Sequence, residues 1–320
     1  MKTPSGPRLL VVPPTAASGA LRAAVRTAAE AGGTPVRDLV HAEALEDGVL
    51  TICADVGGLD TGRATAVAVV LGDPDQAAAI VREQLGLVGA DAIVFASKCF
   101  ALAVELARQP AAVVVTAATL RDHPRAALSA LLSALGLAPV PTEEVLASFE
   151  ASLATAAARE DDPVAREALA IYQDPDQGKP ARIWCARTLL RWGDKPDEPP
   201  PEVMDITGGA RSLVFGPYIY LPPGAWRLTA SFDVDEEAAK RFWLVTFGSG
   251  AEFSNLDATQ LTPGRHDLSI VHRLVAPGPA EFSLGVPAAA FHGELQFLGL
   301  TIELVDEAEA APAESSQAEA

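Results

Sequence analysis

The chain has 320 residues, 49% of them hydrophobic, and a formal net charge of −18; it carries enough apolar material for two cores and too much for a disordered polymer. That charge repels nucleic-acid phosphates and anionic lipid headgroups, which excludes a polynucleotide partner. Apolar runs such as Ala66 to Leu71 and Ala111 to Val115 fall far short of the roughly 20 residues of a spanning helix, which argues against membrane insertion.

Met1 to Leu10 lacks the apolar core of a secretory signal, so the expected location is cytoplasmic. From there, short apolar runs alternate with alanine-rich stretches, the pattern of a mostly parallel sheet with helices on both faces. Strands are predicted at 8–12, 49–54, 66–71, 92–96 and 111–116. Helices are predicted at 18–31, from Pro74 to near Gly86, from 97 to Gln109 and at 123–135. Each strand is nearly all apolar, as strands buried on both faces are.

Pro139 and Pro141 close this α/β domain at about residue 140, and Thr142 followed by Glu143 and Glu144 opens a helical extension, 141–193. Within it, further helices are expected at 163–172 and 180–192. A proline-rich linker follows at 194–203. The period then falls to two: Trp226, Leu228, Ala230, Phe232 and Val234 alternate with polar residues, as do Phe282, Leu284 and Val286. Turns at Pro222-Pro223-Gly224, Thr262-Pro263-Gly264 and Pro277-Gly278-Pro279 complete the signature of an all-β sandwich or jelly roll over 204–306. A fragment of about residues 200–306 is expected to fold alone. Residues 307–320 are acidic, without a basic side chain, and read as a disordered tail.

The segment from Arg8 to Ala31 is a strand, a loop and a helix, in the position of a phosphate-binding loop. Its loop, Pro13 to Gly19, holds one glycine and no cation. Three stretches of the N-terminal part nevertheless resemble the sulfotransferase-type P-loop domain: Ser18-Gly19-Ala20-Leu21, Val69-Val70-Leu71-Gly72-Asp73-Pro74, and Leu120-Arg121-Asp122-His123-Pro124 through Gly136-Leu137. The resemblance places a sulfonate-donor site at Ser18, Gly19, Gly72 and Ile80. It also marks that site as degenerate, because the family's cation, arginine and serine are here Ala17, Gly72 and Ile80. Lost charge-assisted bonds of this kind are worth about 1.5–3 kcal/mol each. The chain is therefore expected to lack catalytic residues and a cofactor.

Two further clusters are candidate anion sites. Ser97 and Lys98, with Cys99, are placed where a buried strand enters a helix N-terminus, the alternative being a buried thiol beside a solvent-facing lysine. Arg187 and Arg191 are placed on one face of the helix expected at 180–192, in a locally basic segment. Cys53, Cys99 and Cys185 have neither disulfide-framework nor CxxC spacing, and the five histidines form no HxxxH or HExxH, so no metal site is expected.

The stretch Phe215-Gly216-Pro217-Tyr218-Ile219-Tyr220-Leu221-Pro222-Pro223-Gly224-Ala225-Trp226-Arg227 resembles the β-sandwich appended to bacterial glycosyltransferases and cell-surface polysaccharide proteins. Alternation sets Leu213, Phe215, Ile219 and Leu221 on one face and Tyr218 with Tyr220 on the other, where two rings could stack on a sugar or complete an interface. Together the two resemblances imply a non-catalytic or accessory protein of bacterial surface-polysaccharide metabolism, with a glycan or a polysaccharide-biosynthesis protein as partner. The alternatives are an active sulfo- or glycosyltransferase with atypical residues, and a scaffold without ligand.

Overall fold

In the computed structural model the described residues are 6–41, 44–137, 143–155, 162–173 and 182–306. The chain divides into two compact units, Met1–Pro175 and Asp176–Ala320.

The first unit contains β1 (Arg8–Val11), α1 (Ser18–Ala31), β2 (Val36–His41), β3 (Leu50–Asp55), β4 (Ala66–Leu71), α2 (Ala77–Leu85), α3 (Gly89–Ala107), β5 (Ala112–Thr116), α4 (Ala117–Asp122), α5 (Pro124–Ala134), α6 (Glu143–Thr155) and α7 (Pro163–Leu169). Its five strands form one sheet in the order β2-β3-β1-β4-β5, every pairing parallel. Along β1 the side chains divide: Leu10 and Val12 pack with Leu21 and Val25 of α1, Leu128 of α5 and Phe149 of α6. Leu9 and Val11 pack on the opposite face with Ala103 and Leu106 of α3. This is the α/β layer that the sequence predicts.

Two strand expectations need correction. Residues 92–96, expected as a strand, lie inside α3, whose start is set by extended Val88 and Gly89, with Asp91 in the first turn. A five-residue apolar run cannot distinguish a buried strand from the buried face of a helix. β5 is not buried on both faces, since Val113 and Val114 are exposed on this edge strand. The other edge, β2, carries Arg37 and Asp38, and these charges hide it from an apolar-run search. The expected cap at Thr142 lies outside the described residues, as does the tail 307–320.

The second unit contains β6 (Arg182–Cys185), β7 (Arg191–Trp192), β8 (Val203–Asp205), β9 (Arg211–Leu221), β10 (Gly224–Val234), α8 (Glu236–Ala239), β11 (Trp243–Ser249), β12 (Glu252–Ala258), β13 (Gly264–Leu274), β14 (Gly278–Val286) and β15 (Glu294–Val305). One sheet runs β13-β10-β15-β6, with β8 also on β15; the other runs β12-β11-β14-β9-β7. All pairings are antiparallel, and the unit is a β-sandwich. Trp226, Leu228, Ala230, Phe232 and Val234 of β10 are all buried, as the alternation requires. Two indoles of the core find acceptors: Trp226 Nε1 donates to the Pro222 carbonyl at 2.9 Å and Trp243 Nε1 to the Ala238 carbonyl at 3.1 Å.

The helix expected at 180–192 is replaced, in its described part, by β6, a 3-10 turn at Arg187–Leu189 and β7. In β6 the buried residues are Ile183 and Cys185, with Arg182 and Trp184 outside: an alternation of period two. β6 pairs with β15 and β7 with β9. Residues 194–203 therefore join strands of the same unit.

Candidate functional site

Three strand ends meet at the carboxyl edge of the parallel sheet. Thr15, Ala16 and Ala17 follow β1; Gly72, Asp73, Asp75 and Gln76 follow β4; Ala117, Leu120 and Arg121 follow β5. With Glu150, Leu153 and Ala154 of α6 they line a cavity of about 590 Å³. The chain passes from β3 to β4 across β1, which makes this a topological switch point, where open α/β sheets take their ligands.

The loop is held by its own bonds. Ser18 turns its hydroxyl back to the Thr15 carbonyl at 2.7 Å, and the Ser18 amide donates to the same oxygen at 2.9 Å. Gly72 is required here: a Cβ would stand 2.7 Å from Thr15 Cγ2. At Gly19 a Cβ would meet nothing within 4 Å, so no close backbone approach depends on that glycine. Ile80 is a fully buried core residue of α2. Of the four donor-site positions, Ser18 and Gly72 flank the cavity loops, whereas Ile80 belongs to the core.

The charges around the cavity are mostly negative. Asp73 accepts the Asp75 amide at 3.0 Å and stands 3.9 Å from Arg121. Glu150 takes two bonds from Arg125, at 2.8 and 3.0 Å, which hold its carboxyl below the usual range. Asp75 accepts from the Gln173 amide. None of Asp73, Asp75, Gln76 and Glu150 was assigned from sequence, because nothing in the spacing of residues 73–76 and 150 shows that they meet.

The anion-site expectation at Ser97 and Lys98 is corrected by geometry. Both lie in the middle of α3 rather than at its N-terminus. Ser97 donates to the Val94 carbonyl at 2.7 Å, and Lys98 Nζ donates to Asp55 Oδ2 at 2.7 Å. Burial pushes the neighbouring thiols up, Cys99 far up and Cys53 to about 12, which disfavours the reactive thiolate. Arg187 and Arg191 share no helical face, since one sits in the 3-10 turn and the other in β7. Among the described residues no group of three His, Cys, Asp or Glu side chains could hold a metal ion, and no single helix is long and apolar enough to cross a membrane.

In the sandwich, Tyr218 and Tyr220 both face outward, Tyr218 being 36% exposed and Tyr220 partly so. Two bulges shape this strand. Leu213 is an extra residue between the pairs Ser212–Gly285 and Val214–Leu284, and Tyr218 with Ile219 opposes Ala280 alone. The first bulge reverses the alternation, so Phe215, expected inside, pairs with outward Ser283 and with Arg191. At the second, Tyr218 takes φ 63°, a left-handed conformation unusual for a bulky residue. Bulges of this kind re-aim side chains. The Tyr218 phenol is pushed up by partial burial and by the Glu281 carboxylate, against the opposing pull of Arg191. The outward face thus gathers Phe215, Tyr218 and Tyr220 with Glu281 and Arg191.

No protein-family model matches the chain, and no curated protein matches it; the sulfotransferase resemblance gains no support from either. Among solved structures it is similar to the PRD1 vertex protein P5, at 18% identity and TM-score 0.18, covering 26% of this chain and 60% of that one. It is also similar to Family 16 Carbohydrate Binding Module-2, at 13% identity and TM-score 0.23 over 30% of this chain and 73% of that one. A third is the Glycosylation Associate Protein (Gap123) complex from Streptococcus agalactiae, at 9% identity and TM-score 0.25 over 60% of this chain and 45% of that one. The chain spans less than two thirds of the vertex protein's length. At these scores the similarities carry no functional argument.

Proposed function

We propose that the chain is a non-catalytic, accessory protein of bacterial surface-polysaccharide metabolism, acting in the cytoplasm, whose β-sandwich binds a glycan on the outward face of β9. The observation that carries this reading is the pair Tyr218 and Tyr220, turned outward beside Glu281 and Arg191. Aromatic rings stack on the apolar face of a sugar, while a carboxylate and a guanidinium bond its hydroxyls. The sulfotransferase resemblance sets Ala17, Gly72 and Ile80 where that family has a cation, an arginine and a serine, and Asp73 and Asp75 line the cavity with Ala17 and Gly72; both support a first unit without donor binding or catalysis.

The test is a glycan array probed with the full chain, followed by titration of any hit against Tyr218→Ala/Tyr220→Ala. By analogy with single bases stacked on aromatic rings, the double variant should lose about 1–3 kcal/mol of affinity while its melting temperature barely changes. Absence of any glycan binding would favour a scaffold without ligand. A large fall in melting temperature would discard the platform and assign the two rings to an interface.

A further inference from the structure

We propose that the cavity at the switch point of the first unit binds a small primary ammonium compound with an apolar body, a ligand opposite in charge to the phosphates that such loops usually take. This is independent of the carbohydrate reading, which concerns the other unit. The volume, about 590 Å³, suits a small molecule. The wall is divided: Ala17, Leu120, Pro124 and Leu153 offer carbon, and Asp73, Asp75 and Gln76 offer oxygen.

Those oxygens call for a donor. Thr15 is 2% exposed, and its Oγ1, like Gln76 Oε1, is buried without a hydrogen-bond partner. Unpartnered buried polar atoms are uncommon and call for an explanation such as a missing ligand or water. Asp73 shares Arg121 at 3.9 Å, an arginine whose side chain is 69% exposed. Glu150 is taken by Arg125. Asp75 accepts from an uncharged amide, and among the described residues no cation pairs with it. A phosphate entering here would meet this carboxylate with no cation in the loop between β1 and α1 to offset it. An ammonium group has three donors and no acceptor and answers the carboxylate of Asp75, while the alkyl body covers Leu120 and Leu153. The overall charge of −18 also attracts a cation towards the site.

The experiment uses the full chain and three probes of one length, n-hexylammonium, n-hexanol and n-hexanoate, with inorganic phosphate as a fourth, each titrated by ligand-detected NMR. Hexylammonium should bind saturably and at least tenfold more tightly than the alcohol or the acid. Asp75→Asn, which keeps size and an acceptor oxygen, should remove most of that preference and leave hexanol binding unchanged. Ala154→Trp, at an exposed position of the cavity wall, should block all three hexyl probes, with an unchanged melting temperature showing that the fold is intact. Equal binding of amine and alcohol, tighter binding of hexanoate or phosphate, or ammonium binding indifferent to both substitutions would overturn the proposal.

Discussion

The ammonium of Lys98 donates to Oδ2 of Asp55 at 2.7 Å, and the Asp55 side chain is 1% exposed. Asp55 ends β3, and its other oxygen accepts the Gly57 amide at 2.8 Å, so one buried carboxylate ties strand, loop and helix together. Removing the lysine takes one charged partner from a buried carboxylate, and breaking a buried pair of this kind costs about 3 kcal/mol. Lys98→Met should therefore lower the urea midpoint substantially, and Lys98→Met/Asp55→Leu should regain part of the loss. A single variant within about 0.5 kcal/mol of the parent would show the pair to be no stronger than a surface bridge.

The thiols of Cys53 and Cys99 should resist a thiol reagent at about pH 8 in the native protein and react once urea is added, because the thiolate is the nucleophile. The same burial has a consequence for stability. An unfolded thiol ionises near its ordinary 9.0, whereas Cys53 in the fold holds its proton to about 12. Its contribution is complete below pH 9 and is lost as pH rises towards 12. Cys53→Ala should flatten the alkaline limb of a stability profile measured by urea unfolding.

His272 behaves in the opposite sense. Burial pushes its imidazole below the ordinary 6.5, against the raising effect of Glu252, and Nδ1 is bonded to the Ser254 hydroxyl at 3.1 Å. The unfolded ring takes a proton first as pH falls, so this contribution is present above pH 6.5 and disappears below it. His272→Gln should show a smaller difference in unfolding free energy between about pH 7.5 and pH 5.5. An identical difference would locate the acid sensitivity elsewhere.

At Tyr218 the backbone and the ring can be separated. Both Tyr218→Ala and Tyr218→Gly delete the aromatic group, but φ 63° strains alanine and not glycine, by about 1 kcal/mol. The glycine variant should melt higher than the alanine variant, and both should lose glycan binding equally. Reversed stabilities would mean that the bulge relaxes when the ring is removed.

Calorimetry with a 3′-phosphoadenosine nucleotide should detect no micromolar binding to the full chain. The sulfotransferase resemblance would put its phosphate-pairing groups at Ala17, Gly72 and Ile80, none of which carries a charge, and Asp73 and Asp75 line the cavity together with Ala17 and Gly72. Tight binding would restore the active transferase as the leading reading.

What the sequence made legible was the face pattern of regular elements. β4 and β10 coincide with their apolar runs almost residue for residue, since one strand is buried on both faces and the other on one. β2 escaped because Arg37 and Asp38 interrupt its apolar pattern; Asp38 is held by Arg22 at 2.7 Å, a contact across the fold. Phe215 was misplaced because alternation assumes an unbroken ladder. The Gly216-Pro217 pair inside the strand was the available signal of a bulge. The cavity was illegible because Asp73 and Arg121 are brought together by the order of strands in the sheet, and Glu150 joins them by the packing of α6 on that sheet's helices.

The proline-rich segment 194–201 looks like a place where the protein would come apart, and its topology says otherwise. A protease that cuts there leaves β6 and β7 on the N-terminal piece, one hydrogen-bonded into each sheet of the sandwich. The two fragments of a nicked chain should stay associated on a sizing column and part only in denaturant. A chain begun after residue 200 is a different molecule: β15 loses its β6 partner and β9 loses β7. Each sheet then offers a bare ladder to any neighbour, the condition under which sandwiches aggregate edge to edge.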